Sequence, residues 1–287
     1  SCFGYVRGTK STTPMSTEQP FALSWAYSPC PNDTYIFYAL AHNKLAGRSV
    51  MRIPHLCDIA ELNDLARRGA YDVIKISAAI YPEVVGEYQI LASGGAFGVG
   101  VGPILVARDL STLPAKKEQW RVAVPGLSTT ANLLLSHFHP EMVQRTPCLF
   151  SEIGEAVARG EYEAGVLIHE GRFTYQEHGL ELLEDFGAMW QEERGLPLPL
   201  GLICIRRSLP LTLRLAICEA IRQSIDYAGT HTEETFGYMR QHAQEMADAV
   251  MAEHVRLYVN AFSYDLGERG HEALTALLPS TKLDILR

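Results

Sequence analysis

The sequence has no long basic run. Its basic neighbours are pairs such as Arg67–Arg68, Lys116–Lys117 and Arg206–Arg207. With 25 Lys and Arg against 33 Asp and Glu, the formal charge is −8. General nucleic-acid binding needs a positive face, so no nucleic-acid partner is expected. A small anion is still admissible, because one local site can be positive on an acidic protein. No apolar stretch reaches the ~18 residues that cross a bilayer, so no membrane partner is expected either. The six cysteines (Cys2, Cys30, Cys57, Cys148, Cys204 and Cys218) form no C-x-x-C pair and no metal-type spacing. They read as reduced, mostly buried thiols. Residues 1–20 lack the apolar segment of a secretory signal. They read as a polar tail outside the fold, with Met15 an alternative start, and a cytoplasmic location is expected.

Nucleotide and metal signatures are also scarce. No G-x-x-x-x-G-K-[ST] occurs. The glycines of GGAFGVGVGP (94–103) lead into Pro103 and an extended ILVA, whereas a dinucleotide loop opens a helix. They read as a flexible approach to a hinge. His137-x-His139 is the only close histidine pair, with no third or fourth ligand nearby, so no metal is expected.

What remains is ordinary globular composition: 287 residues, 47% apolar and 20% charged. That length allows one large domain or two moderate ones, each with its own core. Strand-like and helix-like segments alternate, the mark of α/β architecture. Strands are expected at 22–26, 50–55, 72–76, 88–92, 103–108, 121–124 and 164–168. A helix capped by Asn32 or Asp33 follows the first strand. Asp58 with Glu61 opens another in capping-box fashion. Further helices are expected at 129–137, 152–159, 210–229 and 232–248.

One weak internal repeat organises these elements. LARRGAYDVIKIS (65–77) resembles AVARGEYEAGVLIH (156–169). Both end a helix at Arg-Gly, place a tyrosine and an acid, and enter a β-branched strand. One strand ends at Ser77 and the other at His169. Chance similarity is one explanation. The other is two related lobes, each with a polar residue at the carboxyl end of an equivalent strand, where open α/β sheets bind ligands. Two Gly- or Pro-flanked extended stretches, 102–109 and 196–207, suggest crossings between lobes. The expected organisation is a discontinuous first lobe (21–108 and 201–287) and an inserted second lobe (109–200), closing as a clamshell.

Several residues are candidates for chemistry. AVPGLSTTANLLL (123–135) sets hydroxyls and free amides at a helix start, where Thr129, Thr130 and Ala131 suit a carboxylate; a plain N-cap is the alternative. Cys30 and Asn32 of SPCPND are cleft-lining candidates, with no base adjoining Cys30 in sequence. Lys75 either lies at an exposed edge or supplies positive charge beside Ser77. His169, with an ordinary pKa near 6.5, is a candidate neutral base that a partner such as Glu170 would tune.

The stretches SPCPNDTYIFYAL, YDVIKIS, GVGVGPILVAR, VAVPGLSTTANLLL, AGVLIHEGRFTY and GLPLPLG occur in the order seen in a known family. Over nearly all of 22–265 the chain resembles the 1,4-dihydroxy-6-naphthoate synthases of menaquinone biosynthesis by the futalosine route. The resemblance implies a two-lobed, periplasmic-binding-protein type II-like α/β fold with a cleft between the lobes. It implies a carbon–carbon lyase reaction without a cofactor, from cyclic dehypoxanthinyl futalosine to the dihydroxynaphthoate. His169 would be the proton acceptor. Lys75, Ile76, Ser77, Thr129, Thr130 and Ala131 would hold a small carboxylate-bearing substrate. SAAIY (77–81) and the residues after HE at 169–170 depart from the family pattern, so Arg172 receives no role. Two other readings stand beside this one: a non-catalytic solute-binding protein of the same fold, and the sister chorismate dehydratase. A homodimer is one open arrangement.

Overall fold

The β-branched runs pair into two separate sheets in the computed structural model, which describes residues 22–46, 50–243 and 247–286. The first sheet takes β1 (Trp25–Tyr27), β2 (His55–Leu56), β3 (Val73–Ser77), β4 (Tyr88–Leu91) and β5 (Ala96–Gly98). The second takes β6 (Ile104–Ala107), β7 (Arg121–Val124), β8 (Gln144–Pro147), β9 (Ala164–Leu167) and β10 (Glu181–Asp185). The chain then returns to the first sheet as β11 (Leu198–Arg206) and, near its end, β12 (Ile285–Leu286). The strand orders are β12-β4-β11-β3-β1-β2, with β5 also on β11, and β10-β6-β9-β7-β8.

Among the described residues the chain passes between sheets twice, at 99–103 and 195–197. This shifts the lobe boundaries drawn from sequence. Ile104–Ala107 was expected in the first lobe, yet β6 pairs with β9 and β10 of the second sheet. Leu198–Leu200, expected in the second lobe, belong to β11 of the first sheet. Hydrogen-bond partners decide membership here, and an apolar run looks the same in either sheet. The first crossing is held by close backbone approach. A Cβ on Gly187, in the first turn of the helix Phe186–Arg194, would lie 1.9 Å from the Val101 carbonyl carbon. Arg172 donates to the Gly102 carbonyl at 2.9 Å and pairs with Asp185 at 2.6 Å.

The repeated units occupy equivalent places. The helix Ile59–Arg67 leads into β3, and the helix Phe150–Ala158 leads into β9. Their turn glycines, Gly69 (φ +60°) and Gly160 (φ +76°), adopt the left-handed backbone that glycine tolerates best. β3 lies between parallel β1 and antiparallel β11, and β9 between parallel β7 and antiparallel β6. The carboxyl ends of β3 and β9 therefore bring Ser77 and His169 to corresponding positions.

Other elements differ from the sequence expectation. The 50–55 strand reduces to a bridge at Met51 and the short β2. The 232–248 helix stops at His242, and Asp248–Tyr258 forms a separate one. β8 and β10 are edge strands whose side chains are mostly exposed or half-buried, so they carry no alternating apolar signal. The polar tail 1–20 lies outside the described residues. The five described cysteines are unpaired. Among the described residues no helix is long and apolar enough to cross a membrane.

Replacing Gly187 by alanine forces a methyl group into the crossing backbone and is expected to lower unfolding free energy by about 1–3 kcal/mol. Gly237→Ala, in the helix Thr232–His242 with open space around the new Cβ, should instead gain about 0.5–1 kcal/mol. Urea titration of both variants checks the contrast.

Candidate active site

The first wall begins at the loop Ser28–Cys30. Pro31 starts the helix Pro31–Ala41, as proline does well at a first helical position, and Cys30 is its N-cap. Neither Asn32 nor Asp33 caps it. Asp33, fully buried in the first turn, reaches back instead. Its Oδ2 accepts from the Ser28 backbone N–H at 3.1 Å and the Ser28 hydroxyl at 2.5 Å. Its Oδ1 accepts from Asn32 Nδ2 at 3.0 Å and from Lys75 Nζ.

Lys75 is therefore no edge lysine. It lies 4% exposed on β3, an interior strand of the first sheet, paired with Asp33. Gly201 on β11 leaves it room: a Cβ there would come within 2.8 Å of Lys75 Cε. Deleting one partner of such a buried pair typically costs about 3–5 kcal/mol, because the other charge is stranded. Lys75 and Ser77 line the cleft, whereas Ile76 is fully buried in the hydrophobic core. Strand alternation explains this: Ile76 points to the opposite face of the sheet.

Ser77 is fixed by a residue the sequence reading passed over. The buried stripe of the helix Ile59–Arg67 is Ile59, Leu62, Asn63 and Ala66, and Asn63 is its one polar member. Asn63 Oδ1 accepts the Ser77 backbone N–H at 2.9 Å, and Asn63 Nδ2 donates to Ser77 Oγ at 3.0 Å. With Oγ accepting from Asn63, the Ser77 hydroxyl proton is left for a ligand.

The second lobe contributes the helix Thr130–Phe138. Thr129 is its N-cap, accepting from the Asn132 N–H at 3.3 Å and donating to the Gly126 carbonyl at 2.8 Å. Thr130 Oγ1 donates to the Leu200 carbonyl at 2.9 Å and accepts the Ala79 N–H at 3.2 Å, which joins the lobes at the cleft floor. Both hydroxyls are committed. The backbone N–H groups of Thr130 and Ala131 have no partner among the described residues, so the anion-holding capacity here belongs to amides.

His169 stands two residues beyond β9 with φ +54°, a left-handed backbone uncommon for a non-glycine residue and often found at functional sites. Its Nδ1 is 3.2 Å from Cys30 Sγ, across the cleft in the first lobe. Phe150 meets the ring edge-on, with centroids 4.9 Å apart. Nε2 is buried without a hydrogen-bond partner among the described residues. Burial first, and then the Lys75 charge, hold this imidazole below its ordinary range, down to about 3. Burial, and secondarily the Asp33 carboxylate, push the Cys30 thiol up, so it stays protonated. Glu170, expected to tune His169, makes no ion pair or hydrogen bond with it. Cys30 is the contact instead. Burial raises the Glu170 carboxyl.

The cleft runs between the two lobes and takes its lining from both. The structure brings together Asn32, Lys75, Ser77, Thr129, Thr130, Ala131 and His169 on its lining, while Cys30 is not on the lining and touches His169 from the first lobe. Among the lining residues missed are His254 and Tyr258. They lie on the buried stripe of the helix Asp248–Tyr258 with Met251, so a histidine on that apolar face was the available signal. Away from the cleft lining, His55, Cys57 and Glu61 have donor atoms within 4.8 Å of one another, a spacing that could hold a metal ion. His137 and His139 are engaged by Glu193 and by Glu184 and Glu141.

Two α/β lobes joined by two crossings, with a cleft at corresponding strand ends, define the two-lobed periplasmic-binding-protein-like class. A Candida albicans protein described as exhibiting the generic periplasmic binding protein structural fold superposes with a TM-score of 0.65 over 92% of each chain, at 11% identity. A solved structure from Archaeoglobus fulgidus is more similar: TM-score 0.84 and 34% identity, covering 90% of this chain and 96% of that one. The family model for menaquinone biosynthesis matches residues 23–282. A 1,4-dihydroxy-6-naphthoate synthase of Thermus thermophilus is 48% identical over 257 residues, which is 89% of this chain and 92% of that protein. The chain belongs to the menaquinone biosynthesis family.

The depressed imidazole has a pH signature. Between the ordinary value of about 6.5 and about 3, an unfolded His169 binds a proton that the folded one refuses. The unfolding free energy should therefore fall as pH drops through that window, by at most about 1.4 kcal/mol per pH unit from this group. The urea midpoint should fall further between pH 7 and pH 5 for wild type than for His169→Asn. Parallel losses would contradict the assignment.

Proposed function

We propose that the chain is a 1,4-dihydroxy-6-naphthoate synthase that acts on cyclic dehypoxanthinyl futalosine as a carbon–carbon lyase. The observation that carries this reading is His169: a neutral imidazole with an unpartnered Nε2, on a cleft that also offers free amides and a serine hydroxyl proton. Similarity to the Thermus synthase over nine-tenths of both chains supports the choice of reaction.

The roles follow from the contacts. The substrate carboxylate is held by the Thr130 and Ala131 amides, with the Ser77 hydroxyl as a further donor. Lys75 is already neutralised by Asp33, so it shapes the cleft and its field more than it serves as a free cation. For Nε2 to act as base, Nδ1 carries the ring proton and donates it to the Cys30 sulfur. Nε2 then takes a proton from carbon beside a carbonyl-like or hemiacetal centre. Elimination and carbon–carbon cleavage release the former ribose part, and aromatisation of the second ring drives the step. The protein orients the substrate and keeps the base ~3 Å from its proton. Lobe closure excludes water from the reactive intermediate. No cofactor enters this scheme, and the expected location is cytoplasmic.

Incubation with cyclic dehypoxanthinyl futalosine should give the dihydroxynaphthoate, read by mass. His169→Asn should lower kcat by ~10²–10⁴ while the product still shifts the melting temperature. Native turnover in this variant would remove His169 from the mechanism. Ligand binding without turnover in wild type would point to a solute-binding protein, and turnover of chorismate to the sister enzyme.

A further inference from the structure

The imidazole of His254 has no place in the scheme above. It comes from the helix Asp248–Tyr258, 2% exposed, and lines the cleft. Its ring lies nearly parallel to that of His169, 20° apart with centroids separated by 6.1 Å.

The network around Asp33 fixes its tautomer. A carboxylate only accepts, so Asn32 must turn its NH₂ toward Asp33 Oδ1, at 3.0 Å. That leaves Asn32 Oδ1 facing His254 Nε2 at 3.0 Å. Two acceptors do not bond, so Nε2 carries a proton and donates it. Burial holds the ring neutral, and His169 and Lys75 oppose its charging further. Nδ1 is then a lone pair, and it is buried without a partner among the described residues.

We propose that His254 is a substrate-positioning residue whose Nδ1 accepts a hydrogen bond from a hydroxyl group of the bound substrate. The proposal rests on the synthase reading and adds a requirement to it: the substrate presents a hydroxyl on the first-lobe side while His169 takes its proton. A second base is the poorer assignment, because protonating Nδ1 would place a cation in a dry wall beside Lys75. An acceptor needs no charge change. Buried polar groups built to meet a substrate hydroxyl discriminate strongly against analogues lacking it.

Two substitutions separate the ring nitrogens. His254→Gln keeps an N–H donor near the Nε2 position for Asn32 and loses the Nδ1 acceptor. His254→Asn keeps a short side-chain oxygen near the Nδ1 position and loses the reach to Asn32. Turnover is measured for cyclic dehypoxanthinyl futalosine and for its single-deoxy analogues. Wild type should lose about 10²-fold in kcat/KM on one analogue. His254→Gln should lose a similar factor on the full substrate and no longer distinguish that analogue, while His254→Asn keeps part of the discrimination. Equal losses on substrate and analogue in both variants, tracking a fall in melting temperature, would mark a purely structural histidine and overturn the proposal. So would a wild type that loses less than about threefold on every deoxy analogue, whatever the variants do. A wild type that releases no naphthoate would overturn the synthase reading itself.

Discussion

The carboxylate of Asp33 has four donors on its two oxygens, and the charged one among them is Lys75. This buried pair organises the first wall. It closes the Ser28–Cys30 loop onto the following helix, which sets Cys30 against His169. It turns the Asn32 amide, which fixes the proton on His254. It draws Lys75 inward from β3 and so settles the field that both imidazoles feel. Desolvating two charges is expensive, and the full set of hydrogen bonds is what makes the arrangement tolerable. The gain is geometry: three side chains of different reach are held by one acceptor.

The second wall depends on a helix start. Thr129 and Thr130 use their hydroxyls on protein carbonyls and amides, so the remaining N–H groups face the cleft without competition. Thr130 also ties the second lobe to Ala79 and Leu200 of the first. The anion-binding end is thereby placed at the floor, where the lobes meet. His169, in strained left-handed backbone, leans back across the gap to a thiol of the other lobe. Assembly of the site requires both lobes.

Much of the architecture was legible. The alternation of elements, the repeat at 65–77 and 156–169, and the Gly-rich approach to a crossing all follow from short-range pattern. Asp58 as an N-cap was readable from its spacing to Glu61, though the cap bond runs to the Ala60 N–H. The boundaries were less so: β6 was assigned to the wrong sheet, since an ILVA run has no mark of its partners. Of the binding candidates, Ile76 pointed into the core by strand alternation. Asn63 and His254 were passed over because each is a lone polar residue on an apolar helix face, where the pattern alone suggests packing.

By itself the sequence determined the α/β class, the helix start at Thr129–Ala131 and a histidine just beyond a buried strand. Those depend on periods and caps spanning a few residues. Tertiary structure decided which groups the histidine meets. Cys30 and His169 are 139 residues apart, and Asn32 and His254 are 222 apart. Hydrogen bonds over such separations leave no periodic trace in the chain, because either partner is compatible with its own local structure whether or not the other arrives.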